Sequence, residues 1–226
     1  HYVTPAGDSA VAVLVNDSQA DAHTRLARVD DVWAAATVGA ELDRVAGAGN
    51  MHALTRAGAD VFAYGVQPVG KSRVTELRVV NTTSGTVRAV SLAPFAVLWG
   101  DAELGQPLTA GADGEVWFFG ADVLRRELFW SDGDVARQMS NYSAGGAREL
   151  ESARQLRPLY CGAHVYWVDV HIATGAVRVV FAADTAASGG AFTPHAMPLP
   201  VPAVPPSAAV LEHTACIGGA LVFAYQ

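Results

Sequence analysis

Cysteine and basic charge are scarce in this chain. Its 226 residues include two cysteines, Cys161 and Cys216, and no C-x-x-C pair, which removes the redox and zinc chemistry that such a pair supports. Only 16% of the residues are charged, and acidic side chains outnumber basic ones 22 to 15, for a formal net charge of −7. A nucleic-acid binder neutralises phosphates with a basic surface, so no nucleic-acid partner is expected. Just over half of the residues are hydrophobic. Even so, no run of about 18 apolar residues escapes a charge or helix breaker, so no membrane span is expected within this segment.

Linear catalytic motifs are missing too. The sequence has no H-E-x-x-H, no G-x-S-x-G and no Walker loop. The seven histidines are scattered. His164 and His171 flank Asp169, but on an alternating strand His164 and Asp169 point to opposite faces, which speaks against a metal pair. The carboxylates at Asp30-Asp31 and in "ADGE" (112–115) lack the spacing of a calcium loop and read as solvated turns. The expectation is therefore no metal site, no cofactor and no catalytic residue legible from sequence.

What is present is a repeat. "GADVFAYG" (58–65), "GEVWFFG" (114–120), "GAHVYW" (162–167) and "GALVFAY" (219–225) resemble one another, and "AGDSAVAVLV" (6–15) is a weaker copy. Anchored on Val11, Val61, Val116, Val165 and Val222, they are spaced 50, 55, 49 and 57 residues apart. Each copy sets a short run of strand formers after a small-residue turn. Hairpin signals follow. "TELRVVNTTSGTVRAVSL" (75–92) and "VYWVDVHIATGAVRVVF" (165–181) place two β-branched runs around turns at Gly85 and Gly175, and "ELFWSDGDVARQM" (127–139) turns at Asp132-Gly133.

Helical signals are few: 30–47 and 147–157 could each form a short helix or a long-loop decoration. The proline-rich stretch 194–207 reads as an extended connector that cannot be a central strand.

Successive all-β units of about fifty residues predict an all-β fold: a β-propeller, or a segment of one, built from four-stranded antiparallel blades. The repeats run approximately over 5–53, 54–106, 107–156 and 157–210, with a partial copy at 211–226. "GADVFAYG…TELRVVNTTSGTVRAVSLAP" resembles a kelch-type blade, and "VYWVDVHIATGAVRVV" is similar to quinoprotein-like and YWTD-type blades. "SDGD" (131–134) is similar to the Asp-box of sialidase-type propellers. It lacks the downstream Thr-Trp, so it reads as a hairpin turn. In such a scaffold, the aromatics Tyr166 and Trp167 are expected to pack between blades rather than to form a ligand platform. The start at His1 without a signal pattern, and the end in a strand-like "LVFAYQ", give the expectation of a piece of a longer chain, with an incomplete ring completed by further chain or a partner subunit.

Three N-glycosylation sequons begin at Asn16, Asn81 and Asn141, each beside turn-like residues. Cys161 and Cys216 both precede the aromatic strand of their repeats, one blade apart. Two readings stand: a disulfide, or two buried thiols. A disulfide would stabilise by about 2–4 kcal/mol and fits an oxidising compartment. Sequons and cysteines together predict an extracellular or cell-surface glycoprotein. The expected role is recognition, adhesion or structural assembly through a protein or glycan partner, or through further parts of the same chain. Two alternatives remain open: a hydrolase-like propeller enzyme with its site assembled at the central face, and an intracellular kelch-like adaptor.

Overall fold

The computed structural model describes residues 3–6, 9–16, 23–30, 37–46, 50–71, 73–93, 96–97, 108–111, 114–121, 126–139, 153–155, 158–162, 164–171, 177–183, 195–197 and 211–225. Every regular element among them is a β-strand, and the strands form antiparallel sheets in which most pair with a sequence neighbour, whereas Ala96–Val97 pairs with Val116–Ala121 and Ala153–Gln155 with His164–His171.

The first sheet runs β1 (Val3–Ala6), β2 (Ser9–Asn16), β3 (His23–Asp30) and β4 (Thr37–Ala46). The second runs β5 (Asn50–Arg56), β6 (Val61–Gln67), β7 (Glu76–Asn81) and β8 (Thr86–Ser91). In the third, β9 (Ala96–Val97) and β10 (Leu108–Ala110) share one flank of β11 (Val116–Ala121), followed by β12 (Arg126–Ser131) and β13 (Ala136–Gln138). The fourth repeats this plan. There β14 (Ala153–Gln155) and β15 (Leu159–Cys161) both pair with β16 (His164–His171), which leads to β17 (Val177–Ala183) and β18 (His195–Met197). A hairpin of β19 (Leu211–Ile217) and β20 (Ala220–Tyr225) follows.

The five anchor valines all lie on the second strand of their sheets: Val11 on β2, Val61 on β6, Val116 on β11, Val165 on β16 and Val222 on β20. The sheets begin earlier than the repeat boundaries read from sequence. The boundary at 53–54 falls inside β5, and β14 starts the fourth sheet before 157.

That first strand is irregular at one recurring level. Counting three residues on from each anchor, the partner strand breaks beside Tyr64, Phe119 and Val168. In the second sheet the break is a bulge between His52 and Thr55, with Ala53 at φ 49°. In the third and fourth sheets it separates β9 from β10 and β14 from β15. The fifth copy bulges between Leu211 and His213, again at this level.

Successive sheets stack through alternating side chains. From β6, Phe62, Tyr64 and Val66 pack against Val11, Leu26 and Val45 of the first sheet. Ala63, from the opposite face, joins Leu77 and Val79 against Val116, Phe118 and Phe129 of the third. From β11, Trp117 and Phe119 turn the other way, onto Val165 and Trp167 of the fourth sheet. Period-two alternation thus gives each middle sheet two apolar faces, and each large buried side chain contributes roughly 1.5–3 kcal/mol. The first strands also neighbour one another in chain order: β1 with β5, β5 with β10, β10 with β15 and β15 with β19. Among the described residues the sheets do not close into a ring.

At three places the structure refines the local reading. The two stretches read as a short helix or a long-loop decoration hold strands where they are described: Asp30 ends β3 and 37–46 form β4, and 153–155 form β14. Register shifts between β3 and β4 near Ala27 interrupt the two-residue period of β4, so its apolar residues Leu42 and Val45 fall at a helix-like spacing of three. In the proline-rich stretch 194–207, residues 195–197 form β18 at the edge of the fourth sheet, not a central strand, and the rest of the stretch lies outside the described residues. Lastly, the hairpins at 75–92 and 165–181 take different places in their sheets. The first joins the third and fourth strands of its sheet, the second joins the second and third, and Gly175 lies outside the described residues.

Candidate functional site

Among the described residues, one well-defined surface feature is the hairpin between β7 and β8. Asn81 ends β7, opposite Val61 on one side and Thr86 on the other. Its Oδ1 accepts hydrogen bonds from the backbone N–H of Thr83 at 3.0 Å and of Ser84 at 2.9 Å. The Gly85 N–H donates to the Asn81 carbonyl at 2.9 Å, and Gly85 adopts φ 69°, a left-handed conformation that side chains resist. Thr82 ties the loop to the preceding turn by donating its N–H to the Asp60 carbonyl at 2.8 Å. The asparagine therefore organises the turn through its oxygen. Its Nδ2 makes no hydrogen bond among the described residues.

Beside this turn lies a groove of about 220 Å³ lined by Val61, Val79, Asn81, Ser84, Thr86 and Arg88. It occupies the face of the second sheet that packs on the third, since Val61 and Val79 belong to that shared core. Val79 is buried, whereas Ser84, Thr86 and Arg88 are exposed. The volume falls below the roughly 300–1,000 Å³ of a drug-sized ligand site, so the groove suits a single small ring.

Arg88 closes one end. Its Nη1 donates to Asp134 Oδ2 at 3.0 Å and its Nη2 to the Asp132 carbonyl at 3.4 Å, both on the "SDGD" turn of the third sheet. That turn is built to receive it. Asp132 Oδ1 accepts from the N–H groups of Asp134 and Val135, and Ser131 Oγ accepts from the Gly133 N–H. Burial pushes the Asp132 carboxyl up, but the Asp134 and Val135 backbone donors outweigh it and hold its pKa below the ordinary value. Gly133 sits at φ 92°, and a Cβ there would lie 2.7 Å from Arg88 Nη2. The "SDGD" segment is thus an inter-sheet seat for a guanidinium.

A second polar cluster joins the first and second sheets. Tyr64, wholly buried, donates its hydroxyl hydrogen to Asp43 Oδ2 at 2.5 Å, and Arg78 Nη1 donates to the same oxygen at 2.7 Å. Arg78 also pairs with Glu76. Burial, then the Asp43 charge and hydrogen bond, raise the Tyr64 pKa far above the usual tyrosine value. Burial disfavours charge on Arg78, but Asp43 and Glu76 outweigh it and hold the guanidinium protonated. Nothing in the sequence pairs these residues, because Asp43 lies 21 positions from Tyr64 and 35 from Arg78.

Cys161 and Cys216 form a disulfide, with Cα atoms 5.5 Å apart. It links β15 to β19, two neighbouring first strands, and so ties the fourth sheet to the final hairpin. Of the sequon asparagines, Asn16 ends β2 opposite His23, and Asn81 occupies the turn just described. Asn141 lies outside the described residues. Trp167 is buried against Phe119, whereas Tyr166 is half-buried with its ring 5.9 Å from that of His164. Among the described residues, no three His, Cys, Asp or Glu side chains gather where they could hold a metal ion, and no helix is long and apolar enough to cross a membrane.

Comparison of the chain with protein-family models, with curated proteins and with solved structures finds no match.

Proposed function

We propose that this chain forms consecutive blades of a β-propeller in a secreted or cell-surface glycoprotein, and that it acts as a recognition or structural assembly module for a protein or glycan partner. One observation carries the reading: antiparallel sheets of sequential strand order follow one another along the chain, with their first strands neighbouring in the same order. That arrangement suits blades set side by side around an axis, with loops presented at the two ends of the sheets. The Cys161–Cys216 disulfide and the sequons at Asn16, Asn81 and Asn141 support an oxidising, glycan-adding compartment. Acidic net charge and large inter-sheet aromatic cores fit a rigid scaffold that displays variable loops.

The test has two parts, both on the chain secreted from a eukaryotic host. An image of the particle should show sheets arranged around a common axis. A binding screen against arrayed glycans and immobilised extracellular proteins should return a partner whose affinity falls when loop residues are changed. Sheets stacked in a line would refute the propeller. Turnover of glycoside, ester or peptide substrates, lost on substitution of first-strand residues, would replace the binding reading with an enzymatic one.

A further inference from the structure

We infer that Asn81 is an occupied N-glycan acceptor and that the innermost sugar ring of its glycan seats in the groove beside it, on the face of the second sheet that packs on the third. The inference rests on the secretory reading above, but it is carried by separate observations. Attachment forms a bond from the sugar C1 to Asn81 Nδ2 and breaks the C1–O bond of a lipid-diphosphate-linked oligosaccharide donor. The lipid diphosphate leaves, and Nδ2 gives up one hydrogen as a proton. The turn can keep this modification without losing a bond. Both hydrogen bonds that order it end on Oδ1, which remains an amide oxygen, while among the described residues Nδ2 has no partner to forfeit. Thr83, the hydroxyl residue that completes the sequon, is exposed on the same loop.

The groove supplies the seat. Asn81 is part of its wall, so a ring attached at Nδ2 starts beside the cavity. Val61 and Val79 offer apolar contact to the face of a pyranose, and Ser84, Thr86 and Arg88 offer polar groups at the rim for its hydroxyls. A volume of about 220 Å³ suits the first ring and not a branched chain, so the outer sugars extend into solvent. The seated ring would lie next to the Arg88–Asp134 contact and reinforce the junction between the two sheets.

The experiment uses the whole chain secreted from a eukaryotic host, with the glycan released enzymatically in heavy-oxygen water and the peptides read by mass spectrometry. Asn81 should appear as labelled aspartate in most molecules. Thr83→Ser should keep the label, and Asn81→Gln and Thr83→Ala should lose it. For the seat, the glycan is trimmed to one sugar. That form should melt with the full glycoform, whereas Thr83→Ala, which keeps Asn81 but removes the sequon, should melt a few degrees lower. A secreted, disulfide-linked chain with unmodified Asn81 would overturn the site. An occupied Asn81 with Thr83→Ala melting like the glycosylated protein would overturn the seat. Retention of the chain inside the cell with Cys161 and Cys216 reduced would instead strike the secretory reading beneath both.

Discussion

Phe119 and Trp167, on the second strands of adjacent sheets, meet edge to face with ring centroids 5.9 Å apart and planes at 85°. Trp167 is almost wholly buried and shares its core with Trp117, Leu128, Trp130 and Met139 of the third sheet. These aromatic side chains are therefore spent on joining sheets.

Replacing Trp167 by alanine should cost about 3–5 kcal/mol, because it empties a large buried volume that β-strands on both sides cannot collapse into. Phenylalanine should restore part of that loss by keeping an edge-to-face partner for Phe119. Denaturant unfolding of the two variants checks the order. Equal stability of Trp167→Ala and the parent chain would refute the inter-sheet packing.

Tyr64→Phe should destabilise by about 1–3 kcal/mol at neutral pH, since it removes a hydrogen bond to a carboxylate inside an interface. The pH dependence carries a further signature. Tyr64 has a raised pKa in the folded state, so its contribution is complete below the unfolded tyrosine value of about 10 and is lost as pH rises above it. The parent chain should lose stability steeply on the alkaline side, and Tyr64→Phe less steeply. Unfolding midpoints from pH 7 upward measure both slopes.

The Asp132 carboxyl behaves oppositely. Its pKa is lowered in the fold, so its stabilising effect is present above the unfolded value of about 3.9 and disappears as pH falls through the folded one. Asp132→Asn keeps an oxygen for the Asp134 and Val135 N–H groups but not the charge, so at pH 7 it should lose less than Asp132→Ala, and it should flatten the acid limb. Asp132→Ala should cost about 1 kcal/mol at every pH above that limb. Thermal melts from pH 2 to 7 distinguish the three proteins.

Gly133→Ala should destabilise by at least about 1–2 kcal/mol through its left-handed backbone, and further because the new methyl displaces Arg88. Asp134→Asn, which weakens only an exposed ion pair, should change stability by less than about 1 kcal/mol. If the two substitutions had equal effects, the "SDGD" turn would not be a shaped seat for the guanidinium.

Reduction of the Cys161–Cys216 bridge, or the double change to serine, should lower stability by about 2–4 kcal/mol, since the bridge closes a loop between residues 55 apart. A non-reducing peptide map identifies the bridge. Matched unfolding curves with and without reductant measure its contribution.

Strand identity and order were legible in the sequence because they rest on local chemistry: β-branched and aromatic runs between glycine turns, repeated at about fifty residues. The five anchor valines mark the second strand of every sheet for that reason. Strands with a broken period were not legible. Bulges between β3 and β4 disguised β4 as a helix, and a bulge between His52 and Thr55 breaks the alternation of the first strand β5. The sequons and cysteines could be found by inspection, but their surroundings could not. The oxygen-only role of Asn81, the groove next to it, the Arg88 seat on the third sheet and the Asp43–Tyr64–Arg78 cluster all join residues from different hairpins or sheets. Local propensity decided which segments extend. Which faces meet was decided only when sheets stacked, because burial couples residues that the chain keeps dozens of positions apart.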